Sequence, residues 1–566
     1  MKRPDQGPVA ALGRVAGSAA FAYASVALIQ ARVMWGIWSH RDLSSGDSVF
    51  HFQAAAEWAD HLEVNYLYSP LYNVLLGALI WALEDVYAVM IAQRAILVIA
   101  VTLGVLAVLR RLLTPGIAWL LAVWWALLPV NYDTVTELHL FALLPVLAAT
   151  WIAASHRSRA SRSLVLGLLL ASALLVRSEL IIAAVAWAAI WAAYELRAAR
   201  RTEGPPPLRG LAAAFGLPVL ISASLGALAV LADDQGTDVP HELAFKDSFA
   251  FCQHYALGWQ QRHGDLSQTG WERCGYYAQR DFDRSQPSML EALAANPGAI
   301  ARHLTWNASL APYGLQLALL GRTSGPEDRA PDYVRVETGS VLALLASVAL
   351  LALLALGGAL LWRERAFWLR EWLRERAWGW AVLACTALSS LYVLLVIRPR
   401  PAYLFALTLA LMALIGMCAM AVARRRPQVG RLRAGIPLLA LIAVLALPSH
   451  YGEGYETPQL ETGRPLKEAV ERLQPFSQRL AGDETLLLAR YASQVCGYVE
   501  PLEPCTGAPL AALAERPAGV TASAWLAGEG ADLVYVDERD FAAGFPRGEL
   551  RRLEAAGWRT LASSEA

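Results

Sequence analysis

The stretch SGDSVFHFQAAAEWAD, residues 45–60, places one acid, Asp47, just past a long apolar run and sets His51 one helical turn later. Side chains at i and i+4 share a helix face, so this carboxylate and imidazole can form an acid–base pair or take two positions on a divalent metal. The plainer uses are a capping Asp at the helix start in SSGD and a packing His. NYDTVTELHLF supplies Asp133 and Glu137 at the same spacing, followed by His139; acids in a first turn are also favoured by the helix dipole. LLVRSELIIAA sets Arg177 beside Glu179, and VIRPRPAYLF carries Arg398, Arg400 and Tyr403. Guanidinium groups bind phosphate bidentately, while a local ion pair accounts for Arg177 and a headgroup anchor for the RPRP pair.

These residues need a scaffold, and composition says which kind. The 566 residues are 56% hydrophobic and 17% charged, with 20 Trp and a mean hydropathy of +0.38, too apolar for an ordinary soluble domain. Formal net charge is zero and no long basic block occurs, so nothing favours a nucleic-acid partner. Apolar runs near bilayer length fall at 16–38, 86–109, 115–130, 136–156, 163–178, 180–197, 208–232, 340–362, 377–397, 401–422 and 433–449. The expected architecture is therefore an all-α polytopic membrane bundle of about 11 transmembrane helices, with 71–83 as a re-entrant or interfacial helix. The first run is too long for a signal-peptide core.

Basic clusters (Lys2, Arg3 and Arg14; Arg110 and Arg111; 156–162; 197–201; 363–376; 424–433) fall on one side of these runs, and the positive-inside rule makes that side cytoplasmic. The opposite side receives 39–85, 131–137, the Arg177 turn, 233–339, 398–401 and the tail from 449. Two Arg in RPRP run against the rule there, which favours an anionic ligand. Cys385 and Cys418 lie within spans, whereas Cys252, Cys274, Cys496 and Cys505 fall on the outer side, where disulfides persist; Cys252–Cys274 and Cys496–Cys505 are the expected pairs.

Four regions follow: a transmembrane module at 1–232 with its first outer loop at 39–85, an extracytoplasmic insertion at 233–339, further spans at 340–449, and a small extracytoplasmic α/β domain at 450–566. In the last, LKEAVERLQPFSQRL and GELRRLEAAG read as helices, and TLLLARY and ADLVYVDE as buried strands. No phosphate-cradling glycine loop of the nucleotide type occurs there.

GDSVFHFQAAAEWAD with YSPLYNVLLGALIWAL, then TELHLFALLPVLAA, LLVRSELIIAA and RPAYLFALTLALMALIG, resemble in order and spacing the GT-C superfamily of integral-membrane glycosyltransferases. The nearest likeness is to the bacterial enzymes related to protein O-mannosyltransferases and aminoarabinose lipid A transferases. The resemblance covers most of residues 10–425. It implies a polyprenyl-phosphate sugar donor, a lipid, glycan or protein acceptor, and a home in the bacterial plasma membrane; the charge map puts the N-terminus in the cytoplasm, and an odd span count puts the C-terminus outside. Asp47 matches the family's first acid and would be the general base of an inverting transfer. Arg398, Arg400 and Arg177, with Tyr403, would hold the donor phosphate. Ser48 stands where the family often shows a second acid; His51 or Glu137 would then complete any divalent-metal site with Asp47, and Asp133 is a further substitute. No other cofactor is expected. Trp259, Trp271, Tyr276, Tyr277 and Trp306 of the insertion would line an acceptor cleft or mark the membrane interface. Two alternatives remain: a lipid-linked oligosaccharide ligase or polymerase, in which His254 and His263 would matter more than Asp47, and a lipid-linked sugar transporter or flippase.

Overall fold

The computed structural model describes residues 18–39, 47–83, 85–132, 137–201, 208–233, 239–265, 270, 273–331, 337–425, 469–475, 485–489, 495–496, 498–499, 505–509, 517, 519–528, 531–536 and 547–559. In chain order its first helices are α1 (Ala19–Val33), α2 (Asp47–His61), α3 (Pro70–Leu83), α4 (Val86–Leu112), α5 (Pro115–Leu127), α6 (Glu137–Ser155), α7 (Arg159–Leu175) and α8 (Leu180–Arg201). There follow α9 (Leu208–Leu231), α10 (Val239–His263), α11 (Cys274–Phe282), α12 (Met289–Ala295), α13 (Pro297–Leu320), α14 (Val341–Arg363), α15 (Arg374–Val396) and α16 (Phe405–Arg425).

Two compact units share the chain: Met1–Ile37, Leu62–Val74 and Ala92–Tyr455 form one, and Trp38–His61, Leu75–Ile91 and Glu456–Ala566 the other. Among the described residues seven helices are long and apolar enough to cross a membrane: Val86–Leu112, Glu137–Ser155, Leu180–Arg200, Gly210–Leu231, Val341–Arg363, Arg365–Val396 and Pro401–Arg425. Of the eleven expected spans, α1, α5 and α7 are helices of 15, 13 and 17 residues, about 20–26 Å at 1.5 Å per residue, and 433–449 lies outside the described residues.

Burial sorts the seven. Only 11% of the apolar window of α14 is buried, against 67% for Pro401–Arg425. A helix apolar on every side yet unburied by protein has lipid as its solvent, so α14 belongs to the rim and α16 to the centre. The core between α6, α7, α8 and α15 is built from Ala149, Leu169, Trp187, Trp191 and Val382. At its edge Arg162 and Arg159 both pair with Glu195, at 3.2 and 2.8 Å. The Arg162 guanidinium lies 5.0 Å from the Trp378 ring and 5.1 Å from that of Tyr194.

In the insertion, α10–α13 gather Phe251, Tyr255, Tyr277 and Phe282 around the bonded pair Cys252–Cys274, whose Cα atoms are 5.5 Å apart. This is one of the two expected disulfides. Cys496 is also disulfide-bonded, and the side chain of Cys505 lies outside the described residues.

In the second unit, parallel strands β1 (Thr485–Ala489), β2 (Cys505–Pro509) and β3 (Ala531–Val534) form a sheet in the order β2-β1-β3. Helices α17 (Ala522–Gly528) and α18 (Arg547–Ala555) bury Leu526 and Leu553 together. The larger core of this unit combines Val49, Phe52 and Ala55 of α2 with Leu76, Tyr87 and Met90 and with Val470, Val495 and Tyr498 of the tail. The helix that starts at Asp47 thus packs with the tail, through the apolar face that VFHFQAA gives it. The sequence division had grouped that helix with the first module.

Candidate functional site

The first unit carries a polar cluster centred on Tyr403. The α7–α8 connection is a tight turn: the backbone N–H groups of Val176 and Arg177 both donate to Ser172 O, at 3.0 and 2.9 Å. Arg177 Nε donates to Glu179 Oε1 at 2.8 Å, the local ion pair the sequence allowed. The guanidinium of Arg177 also lies 5.6 Å from the Tyr403 ring centroid, and that of Arg400 lies 5.8 Å from the same centroid. His139 at 4.9 Å and His254 at 6.1 Å complete the ring's surroundings. Two guanidinium groups and two imidazoles from four separate segments therefore meet at one phenol.

Tyr403 sits on the 3-10 turn Pro401–Leu404, just before α16, and its neighbours explain how that turn is held. Asn307 Nδ2 on α13 donates to Leu395 O at 2.8 Å and Ile397 O at 3.0 Å, while His303 Nε2 lies 2.9 Å from Val396 O. Gly314, further along α13, faces the Pro399 carbonyl so closely that a Cβ would collide with it. Arg398 completes the clamp. It is 3% exposed, its Nη2 donates to Ala330 O at 3.0 Å, and its Nε donates to Pro331 O. Of the two Arg expected to hold an anion, Arg400 reaches Tyr403, and the described bonds of Arg398 go to backbone.

Beside Tyr403 a narrow crevice of about 50 Å³ runs between α6, α15 and the start of α16. Its polar lining is His139, Arg177, Glu179 and Tyr403, with hydroxyls from Thr386, Ser389 and Ser390; the rest is apolar, including Leu143, Val146, Val393 and Phe405. One polar end, where Arg177 is paired with Glu179, and one apolar body in helices of membrane-spanning character suit an amphiphile with a polar head.

Segment 62–69, which carries YSP, borders this cluster. Ser69 has a positive φ of 61°, costly for a residue with a Cβ. Its Oγ donates to Val176 O at 2.8 Å, next to Arg177. Asp233 Oδ2 accepts from Tyr66 N at 2.6 Å, and Lys246 Nζ donates to Leu67 O while lying 4.4 Å from the Tyr68 ring. Burial pushes the Asp247 carboxyl above its ordinary value; Lys246 opposes this and the charge of Glu179 adds to it. Lys246 and Asp247 were missed in the sequence because FKDSF reads there only as a solvated helix face.

Burial, followed by the charges of Arg398 and Arg400, lowers the His254 pKa to about 3, against a backbone bond to Ala250 O that works the other way. His254 is thus neutral at physiological pH. His263 instead stacks on Trp259 at 4.0 Å, with the Arg280 guanidinium 4.6 Å from that indole. Of the aromatics expected to line a cleft, Trp259 and Tyr277 are in the core of the insertion. Tyr276 is 49% exposed, Trp306 donates to Gln261 Oε1 at 3.3 Å, and Trp271 lies outside the described residues.

Glu137 stands in the first turn of a helix, as its spacing suggested. It is buried at the start of α6, where one carboxylate oxygen accepts from Arg94 Nε at 3.2 Å and Nη2 at 2.9 Å. Arg94 was missed, although a lone Arg inside the apolar run VMIAQRAILVIAV is itself a signal. Asp133 lies outside the described residues. Asp47 is exposed in the first turn of α2 and His51 is buried one turn on. Among the described residues no three His, Cys, Asp or Glu side chains gather as a metal site, and Glu137 is engaged by Arg94. No protein-family model matches the chain, and no curated protein matches it.

Proposed function

We propose that this chain is a membrane glycosyltransferase that moves a sugar from a polyprenyl-phosphate donor to a lipid, glycan or protein acceptor outside the cytoplasm. The observation that carries the reading is the convergence of Arg177 and Arg400 on Tyr403, with Arg177 and Tyr403 at the polar end of a crevice otherwise walled largely by apolar residues of long apolar helices. A lipid-linked phosphate has that division of polarity, with an anionic head next to a hydrocarbon tail.

In the reaction the acceptor oxygen or nitrogen attacks the anomeric carbon from the face opposite the phosphate, the bond from that carbon to the phosphate oxygen breaks, and polyprenyl phosphate leaves. Arg177 and Arg400 stabilise the charge that develops on the leaving phosphate, a kind of contribution worth on the order of 10²–10³ in rate for a single well-placed donor. On the family resemblance Asp47 takes the acceptor proton. The finer topology belongs to the same proposal: about eleven spans in a bacterial plasma membrane, the N-terminus inside, and the sheet-bearing tail outside as an extracytoplasmic α/β domain.

The test is transfer from a radiolabelled polyprenyl-phosphate sugar by purified wild type, Asp47→Asn and Arg400→Gln. The expected result is near-complete loss for Asp47→Asn and a raised donor KM with lowered kcat for Arg400→Gln. Normal turnover by Asp47→Asn removes that residue from the base role, and unchanged donor kinetics in Arg400→Gln removes the phosphate reading. His254 beside Tyr403 supports a second reading, the oligosaccharide ligase or polymerase. Preference for an oligosaccharide over a monosaccharide on the same lipid would select it.

A further inference from the structure

The far ends of the same helices carry a second concentration of arginine. α14 ends at Arg363, α16 ends at Arg424 and Arg425, and the chain between α14 and α15 reads RERAFWLREWLRER. Trp368–Leu373 form a π-helical turn, an irregularity often found at functional positions. The elbow is fixed from below: Trp372 Nε1 donates to Leu112 O at 2.8 Å, and Arg376 Nε donates to Arg111 O at 2.9 Å, both at the C-terminal end of α4.

Within the elbow, Glu364 pairs with Arg425 and lies 3.8 Å from Arg424 Nε. Arg424 places its guanidinium over the Phe367 ring at 3.3 Å, and Arg365 lies 5.0 Å from the Trp362 ring centroid. Trp362 is 72% exposed and Leu369 56%. An open recess of about 580 Å³ lies here, lined by residues 362–367 and Arg424. Its charged lining is Arg363, Arg365 and Arg424 against the single acid Glu364, and that acid already has Arg425. The recess is therefore net positive, and its other walls are Trp362, Ala366 and Phe367.

Where apolar helices end, exposed Trp marks the interface between hydrocarbon and headgroups, and basic pockets between spans bind anionic headgroups. A free anion would use the arginines and leave the indole and phenyl faces in water. A phospholipid uses both. We infer that this elbow is a headgroup site for an anionic phospholipid of the bilayer, with Arg363, Arg365 and Arg424 around the phosphate and Trp362 and Phe367 beside the glycerol and upper acyl chains. The site is separate from the Tyr403 crevice, which lies at the opposite ends of α15 and α16, and it does not depend on the sugar-transfer reading.

Native mass spectrometry of the full chain in detergent, titrated with phosphatidylglycerol or phosphatidylcholine, reads the site directly. Wild type should retain phosphatidylglycerol in clear preference. Arg363→Gln with Arg365→Gln should weaken retention about thirtyfold, the loss expected for two arginines at a headgroup. Arg370→Gln with Arg374→Gln removes equal charge from the same segment outside the recess lining and should leave retention within about twofold of wild type. The double Lys variant at 363 and 365 should recover most of the binding. Equal retention of the two lipids by wild type, equal loss in both Gln pairs, or displacement of phosphatidylglycerol by millimolar inorganic phosphate would each overturn the inference; the second would mean diffuse attraction, and the third a site for a free anion.

Discussion

Replacing Glu137 by Gln separates a structural acid from a chemical one. In the folded protein one Glu137 oxygen takes two N–H groups of Arg94, and both side chains are buried. Gln keeps the size and an acceptor oxygen but removes the charge. A guanidinium keeps its charge at any ordinary pH, so Arg94 is left as a buried cation with a weaker partner. Breaking a buried pair from one side costs about 3–5 kcal/mol, and the retained acceptor places Glu137→Gln toward the lower end, about 3 kcal/mol. Replacing both partners, Arg94→Met with Glu137→Gln, removes the stranded charge and should restore most of the loss, since apolar substitutes for buried pairs are often neutral. The assay is thermal unfolding of the detergent-solubilised protein, with sugar transfer measured on the same samples. The single variant should be destabilised and poorly active, and the double variant should recover in both measurements. A double variant that regains stability but stays inactive would refute the pairing account, because Glu137 would then be doing chemistry.

His303 predicts an acid limit. Burial, with the charges of Arg262 and Arg398, lowers its pKa to about 4 while a bond to Val396 O works the other way. Its neutral form is the folded form, so stability is full above the ordinary pKa of about 6.5 and falls as pH drops below it, by about 2 kcal/mol between pH 7.5 and 5. His303→Gln should remove this share of the slope in melts at the two pH values, leaving the similar share of His254, and an unchanged slope would dissociate the acid limit from His303. Gly314→Ala forces a methyl against the Pro399 carbonyl, so a loss of about 1–3 kcal/mol is expected, with an accompanying fall in transfer as the Tyr403 turn shifts; full stability in calorimetry would contradict the close approach. Removing Cys252–Cys274, which closes a loop of sequence separation 22, should cost about 3 kcal/mol on the chain-entropy account, and protease resistance of the insertion equal to wild type in Cys252→Ser with Cys274→Ser would count against it.

Hydropathy made the membrane helices legible because a span is a property of consecutive residues. The segments read at 86–109, 340–362 and 401–422 are the helices Val86–Leu112, Val341–Arg363 and Pro401–Arg425. Cys252 and Cys274 could be paired because only a few cysteines fall in each outer segment. The site was legible in part. Arg177, Arg400 and Tyr403 were singled out and do meet, but His139 and His254 join them from elements whose packing no local pattern encodes. The grouping of α2 with the tail was equally out of reach: Val49, Phe52 and Ala55 announce an apolar face, yet not whether α3 or the residues around Tyr498 will cover it.

Arg398 and Arg400 sharpen what a charge rule can say. In sequence they were one signal, two cations on the side where cations are scarce. In the structure the pair divides by what each guanidinium meets. The described bonds of Arg398 satisfy the carbonyls of Ala330 and Pro331, which tie the end of the insertion to the turn after α15. Arg400, two residues on, stands over the Tyr403 ring, as Arg177 does. An Arg inside a polar loop is favoured either by an anion or by backbone oxygens that would otherwise be buried without donors, and the positive-inside rule counts both alike. The two differ in kinetics: Arg398→Met should lower stability and, in the molecules that remain folded, leave the donor KM near wild type, whereas Arg400→Gln should do the reverse. Equal donor KM effects in the two variants would mean that the turn acts as one unit, with Arg398 setting the position from which Arg400 works.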